Sequence, residues 1–191
     1  MNDGSKEYLM LRDEIMKDYE IIQNSRNVLY VAVAAILAFA VDQKEAFLFL
    51  VPYIVIIPVY LVTIDYTLNM YKLGTYLKVF HEQGDFRWES RLYLLNYGTK
   101  KRVTRGAQFF HAPFIVSALV CFVMFFASVT YPKSIRDVSV GFTLGAAAAI
   151  VLPVAVAVIF FKYKNIKKIQ DSYIRSWKDV KKEESRKATR N

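Results

Sequence analysis

At 191 residues, with 54% hydrophobic and 23% charged residues, the chain is too apolar for an ordinary soluble domain and too charged to be buried throughout. The two kinds of residue are segregated, with Lys and Arg gathered between long apolar runs, which points to a helical membrane protein. The formal charge of +9 then reads as basic segments held at an anionic lipid membrane rather than as a nucleic-acid surface, and the single Cys121 excludes a disulfide framework within one chain.

Residues 1–26 are expected to form a cytoplasmic amphipathic helix. Between Glu7 and Gln23, Tyr8, Leu11, Ile15, Tyr19 and Ile22 share one face, while Arg12, Asp13, Lys17, Asp18 and Glu20 occupy the others. The many acids and the lack of a small-residue cleavage site argue against a signal peptide. Asn24, Ser25 and Arg26 are expected to interrupt the helix. The apolar run Val28–Val41 that follows is short for a span, but Asn27, Asp42 and Gln43 extend it into the headgroups, and the next run begins at Phe47. A tight transmembrane hairpin over 27–64 is the expectation, and a re-entrant helix is the alternative.

The stretch from Phe47 to Glu82 passes from FLFLVPYIVIIPVYLVTI to DYTLNMYKLGTYLKVFHE without a turn signal. It reads as one rod of roughly 54 Å, longer than a hydrocarbon core of ~30 Å. Pro52 and Pro58 are the expected hinge positions of its apolar half. In its second half Tyr66, Met70, Leu73, Leu77 and Phe80 recur four and three apart, a stripe carried beyond the bilayer. Helix packing in the cytoplasmic segment 65–106 is expected at Leu73, Tyr76, Leu77, Phe80 and, after a break at Gly84, Trp88.

Lys100, Lys101, Arg102 and Arg105 form a basic cluster before the second hairpin, 107–161, and are expected to touch lipid or a partner. Its first run holds Pro113, Ser117, Cys121 and Ser128, PKSIRD makes the connection, and in its second run Gly141, Gly145 and Ala149 fall four apart. Such a small-residue row lets helix backbones approach, within one chain or between copies. The tail 162–191 is basic. Lys162, Lys164, Lys167 and Lys168 are expected lipid or partner contacts, beside a helical stripe of Ile166, Ile169, Tyr173, Trp177 and Val180.

Lys and Arg number four, one, eight, two and eleven in the five successive segments outside the four apolar runs. The expected fold is therefore all-α, with four transmembrane helices and cytoplasmic helical extensions, both termini cytoplasmic, in the cell inner membrane. None of the four runs carries an Asp, Glu, Lys or Arg at its centre, and no phosphate-binding glycine loop, zinc signature or nucleophile elbow is present. No enzyme activity, catalytic residue, metal or cofactor is expected. His81 reads as a partner for an acid. The run RGAQFFH, from Arg105 to His111, resembles the R-x4-6-H motif of HEPN ribonucleases, in which paired Arg and His residues cleave RNA, and so implies a membrane-bound nuclease as a third reading.

The run LGTYLKVFHEQGDFRWE, with Leu73, Gly74, Tyr76, Lys78, Glu82, Trp88 and Glu89, resembles an I-G-x-Y-[IL]-[RK]…E…W-E segment of small uncharacterised bacterial membrane proteins. The four-span layout also looks like the compact membrane effectors of bacterial antiviral defence systems. That resemblance implies a membrane-perturbing effector or membrane sensor. The stripes and the small-residue row add the expectation of a homo-oligomer. The alternative is a membrane scaffold that recruits a soluble cytoplasmic protein partner through the middle segment and basic tail.

Overall fold

The computed structural model describes residues 3–82, 89–91, 94, 110–130 and 140–189, and side chains within them except at 3–4, 129–130 and 140–144. Lys100, Lys101, Arg102, Arg105 and Trp88 lie outside the described residues, as does the PKSIRD connection. The backbone of Gly141 is described, its contacts are not. Among the described residues the chain is helical, without strands.

Helix α1 runs unbroken from Asp3 to Gln43, 41 residues and about 60 Å at ~1.5 Å per residue. The interruption expected at Asn24–Arg26 does not occur. None of these residues is Gly or Pro, their propensity deficits are each below about 1 kcal/mol, and stopping there would leave a turn of backbone groups unpaired at each new end. The helix closes at Lys44, which takes the left-handed conformation at φ 58 and returns its N–H to the Ala40 carbonyl at 3.1 Å. That is a capping geometry more often given to glycine. Glu45 is extended, and the chain re-enters helix at once, so the first two apolar runs are joined by the tight connection expected.

The single rod expected from Phe47 is two pieces. Ala46–Leu50 is a 3₁₀ turn, Val51 and Pro52 follow, and α2 runs from Tyr53 to Phe80. Pro52 has no N–H to give a preceding carbonyl, so it opens a helix instead of bending one. Its carbonyl accepts from the N–H groups of Val55 and Ile56, both at 2.9 Å. Of the two suggested hinge prolines only Pro58 lies inside α2. From there α2 continues without a break past Asp65 into the charged stripe.

Helix α3 spans Ala112–Thr130, α4 Val140–Tyr163 and α5 Ile166–Ala188. Three helical stretches, Ser5–Gln43, Ala46–Phe80 and Gly145–Tyr163, are long and apolar enough to cross a membrane, and Ala112–Ser128 is a shorter apolar helix. The chain divides into two compact units. One comprises Met1–Ile22, Ile64–Gln108 and Asn165–Asn191, the other Gln23–Thr63 and Phe109–Lys164.

The second unit is built on the 3₁₀ turn. Phe49 and Leu50 are buried there with Tyr53, Ile56 and Tyr60 of α2 and with Phe114, Ala118, Cys121 and Phe125 of α3. The Tyr53 hydroxyl donates to the Ala118 carbonyl at 2.6 Å. Phe47 lies 6.2 Å from Phe125, centroid to centroid, and a methyl group added to Gly145 would overlap the Phe47 ring. One turn further along α4, Ala149 is fully buried. The described part of the small-residue row is therefore used inside the chain. The outer faces are apolar and open, with Val31 72%, Val116 58% and Val151 62% exposed, surfaces whose natural solvent is hydrocarbon.

Gly145→Leu is expected to destabilise the protomer by about 1–3 kcal/mol or more, as overpacking does. Phe47→Ala in the same chain should recover part of that loss. The thermal midpoint of the detergent-solubilised protein checks this, and an unchanged midpoint in the single variant would contradict the contact.

Candidate functional site

In the first unit the stripe of α2 finds its partners within the chain. Leu77 is 1% exposed, and Tyr76 stacks on Phe80 with centroids 4.7 Å apart. Trp177 of α5 meets the Tyr76 ring edge-on at 5.1 Å, and its indole N–H donates to the Lys72 carbonyl at 3.2 Å. Lys181, one turn on, donates to the Val79 carbonyl at 2.7 Å and holds its ammonium 5.5 Å from the Phe80 centroid. Ridge and cation together dock an otherwise basic helix. Leu73 is half-buried beside this cluster.

The amino-terminal segment of α1 supplies the acids. Glu7 accepts from the Tyr76 hydroxyl at 2.7 Å, and its other oxygen stands 3.4 Å from Nε2 of His81. The hydrogen bond from Tyr76 to Glu7, aided by burial, pushes the phenol pKa up to about 12. Asp18, read from the sequence as a polar-face residue, is 5% exposed and accepts from Asn69 at 2.7 Å. Nothing local in the sequence marks that pair, because its partner is 51 residues away.

The segment that carries the family resemblance folds onto the same unit. Arg12 of α1 lies 3.3 Å from Oε1 of Glu89, and Oε2 of that carboxylate rests 3.5 Å from the position a Cβ would take on Gly74. Glu82 accepts from the Ser90 backbone N–H at 2.7 Å and from its hydroxyl. Burial raises the Glu89 carboxyl above its ordinary range, with Arg12 opposing only in part. Burial likewise lowers the Lys78 ammonium, partly countered by Glu82. Thus Gly74, Tyr76, Lys78, Glu82 and Glu89 serve one cluster of charged and aromatic contacts. It holds three chain segments together.

Among the described residues of the second unit, His111 and Tyr60 form a buried polar pair. His111 is 2% exposed, and its Nδ1 is bonded to the Tyr60 hydroxyl at 2.6 Å. Rings enclose it: Phe110 at 4.9 Å, Phe160 at 5.3 Å, and Tyr60, which stacks in turn on Phe114 at 4.3 Å. Nε2 closes no well-formed hydrogen bond, although the Tyr163 backbone carbonyl lies near enough to act on the ring. An imidazole walled in by aromatics and engaged by a phenol is out of reach of an RNA backbone, which argues against the nuclease reading. Arg105, its suggested partner, is outside the described residues.

Of the basic residues, Lys164 lies 4.5 Å from the Phe161 centroid and Lys162 5.1 Å from that of Tyr163, at the end of α4. Cations folded back over aromatic rings at a helix terminus suit a hydrocarbon–water boundary. Lys167 and Lys168 are exposed on the first turn of α5. Among the described residues no three His, Cys, Asp or Glu side chains are grouped to hold a metal ion.

Long apolar helices with open apolar faces define this chain as a helical membrane protein. Comparison with protein-family models, curated proteins and solved structures finds no match for it.

Because the folded-state pKa of Glu89 is raised, its ionised form costs stability above that pKa. The cost is relieved as pH falls through it toward the ordinary value of 4.5. Relative to Glu89→Gln, the wild type is therefore expected to gain stability as pH drops from 8 into the carboxylate range. Paired thermal midpoints across that range test the sign, and a gain on raising the pH would contradict it.

Proposed function

We propose that this chain is a homo-oligomeric, four-span inner-membrane protein with both termini cytoplasmic, and that it senses disturbance of the bilayer. The observation that carries the reading is that α1 and α2 are each one uninterrupted helix over an apolar and a charged stretch. A change in hydrocarbon thickness tilts or shifts the apolar part of such a helix. The hydrogen-bonded backbone passes that displacement along the same rod to Glu7 in α1 and to Tyr76 in α2. The 19 residues of α3, ~28 Å in length, supply the fourth crossing. The concentration of Lys and Arg in three of the five segments supports the orientation.

Sensing is favoured over pore formation because Gly145, the described small residue able to join helices, is taken up within the chain, so that copies would meet through the open apolar faces instead. The Phe80 end of the α2 stripe is covered by Trp177, and Gly145 is covered by Phe47. A place in antiviral defence belongs to the same proposal and rests on the resemblance alone. Recruitment of a soluble partner is the second reading. Leu9, Met10 and Met16 favour it, at 51%, 71% and 52% exposed on the charged part of α1, an adaptable apolar surface.

The chain has two tryptophans, so Trp88→Phe leaves Trp177 as the sole indole reporter. In proteoliposomes of decreasing acyl length its emission should shift to the red as the indole leaves Tyr76 and Phe80. A constant emission maximum over all thicknesses would exclude sensing by this route. Loss of partner capture in a Leu9, Met10 and Met16 to Ser variant, with the emission shift absent in the parent, would select recruitment.

A further inference from the structure

Within the second unit, α1 and α3 leave between them an open groove of about 530 Å³. Its walls are two matched helical stripes. Tyr30, Val33 and Leu37 come from α1, and Pro113, Val116 and Val120 from α3, each set at i, i+3 and i+7. Arg26 stands one turn before Tyr30, and its guanidinium lies 5.4 Å from the ring centroid of Phe110, three residues before Pro113. A cation therefore stands one helical turn beyond the lining of a mostly apolar groove. The Nε of that arginine is buried without a hydrogen-bond partner.

We infer that this groove is a binding site for one anionic phospholipid, with an acyl chain along α1 and α3 and the phosphate at Arg26. The inference rests on reading these helices as membrane-spanning. Two features select the occupant. A half-buried guanidinium beside an apolar groove calls for an oxyanion that its planar fork can grip, which a phosphodiester supplies. The groove beyond it is lined mainly by apolar side chains, with the Tyr30 and Ser117 hydroxyls as its polar groups. A phospholipid meets both demands in one molecule. The apolar helix of a second copy would fill the channel but bring no acceptor to Arg26. Negative lipid charge adds to the attraction, so phosphatidylglycerol should be preferred to phosphatidylcholine, whose phosphate is balanced by its own choline.

The experiment is native mass spectrometry of delipidated protein offered dioleoyl phosphatidylglycerol or dioleoyl phosphatidylcholine at equal concentration. Wild type should retain one phosphatidylglycerol per chain in preference to phosphatidylcholine. Arg26→Gln should weaken phosphatidylglycerol binding by about tenfold or more, the scale of a lost charge-assisted hydrogen bond. Arg26→Lys should restore part of it, and Ala34→Trp, which adds bulk at an exposed position lining the groove, should reduce retention of both lipids. Circular dichroism selects the variants that keep wild-type helicity, and Ala34→Trp with Arg26→Lys decides the matter should Arg26→Gln fail that check. Equal retention of the two lipids by wild type and the Arg26 variants overturns the site. So does an Ala34→Trp variant that keeps its lipid but changes the number of copies per particle, which gives the groove to a second chain. The Trp177 emission shift, recorded on the same variants, separates this site from the sensing reading. A lipid site lost with the shift intact leaves the sensor standing, and a lipid site present with no shift in wild type removes the sensor alone.

Discussion

Backbone amides cannot be left unpaired in hydrocarbon, and this one constraint shapes nearly every described element. Unbroken helices satisfy it at the lowest cost, and α1 also continues through Asn24–Arg26, where side chains alone suggest a pause. The chain departs from α-helix between the first two apolar runs only from Lys44 to Pro52, and several N–H groups there are answered locally. Lys44 returns its N–H to Ala40, Leu48 to Glu45, Val51 to Leu48, and Pro52 has none to place. The 3₁₀ turn so formed then becomes the anchor on which Phe47, Phe49 and Leu50 are packed.

The two units solve different solvation problems with the same helices. Among the described residues of Gln23–Thr63 and Phe109–Lys164 the interior is mostly aromatic and aliphatic, with phenol hydrogen bonds from Tyr53 to Ala118 and between Tyr60 and His111, while the outer faces stay apolar. In the other unit the interior is mixed. Glu7, Arg12, Asp18 and Glu89 each reach a partner from another segment, and Trp177 and Lys181 fasten α5 to α2 through backbone carbonyls. Individually such contacts contribute on the order of 1 kcal/mol each, so an assembly of this kind is suited to opening and closing. The proposed sensing uses that property. A weakly held charged cluster responds to a shift that a tightly packed apolar core resists.

Much of this was legible in the residues. The alternation of Leu73, Tyr76, Leu77 and Phe80 marks one face of α2, where Leu77 is buried and Tyr76 and Phe80 meet Trp177, because a period of 3.6 is local information. The tight connection after Gln43 followed from the short gap before Phe47. What escaped was everything set by partners distant in sequence. Asp18 reads as a solvated acid until Asn69 is beside it, and Pro52 reads as a hinge until the preceding turn is seen to be 3₁₀. Gly145 reads as a contact within one chain or between copies until Phe47 is found over it, and His111 reads through its resemblance as half of a reactive pair until Tyr60 occupies its Nδ1.

The claim on which the account depends most is the continuity of α1 between its charged and apolar stretches. Met10 and Val31 are 71% and 72% exposed, and Cys121 is the chain's only cysteine, so labels at these two positions in a Cys121→Ser background give a distance along the helix. Pulsed electron–electron resonance in lipid nanodiscs should return a single narrow distribution centred near ~32 Å, the rise of 21 helical residues. A broad distribution, or one centred well below that value, would mean that the helix breaks near Arg26, and no displacement could then be passed along it.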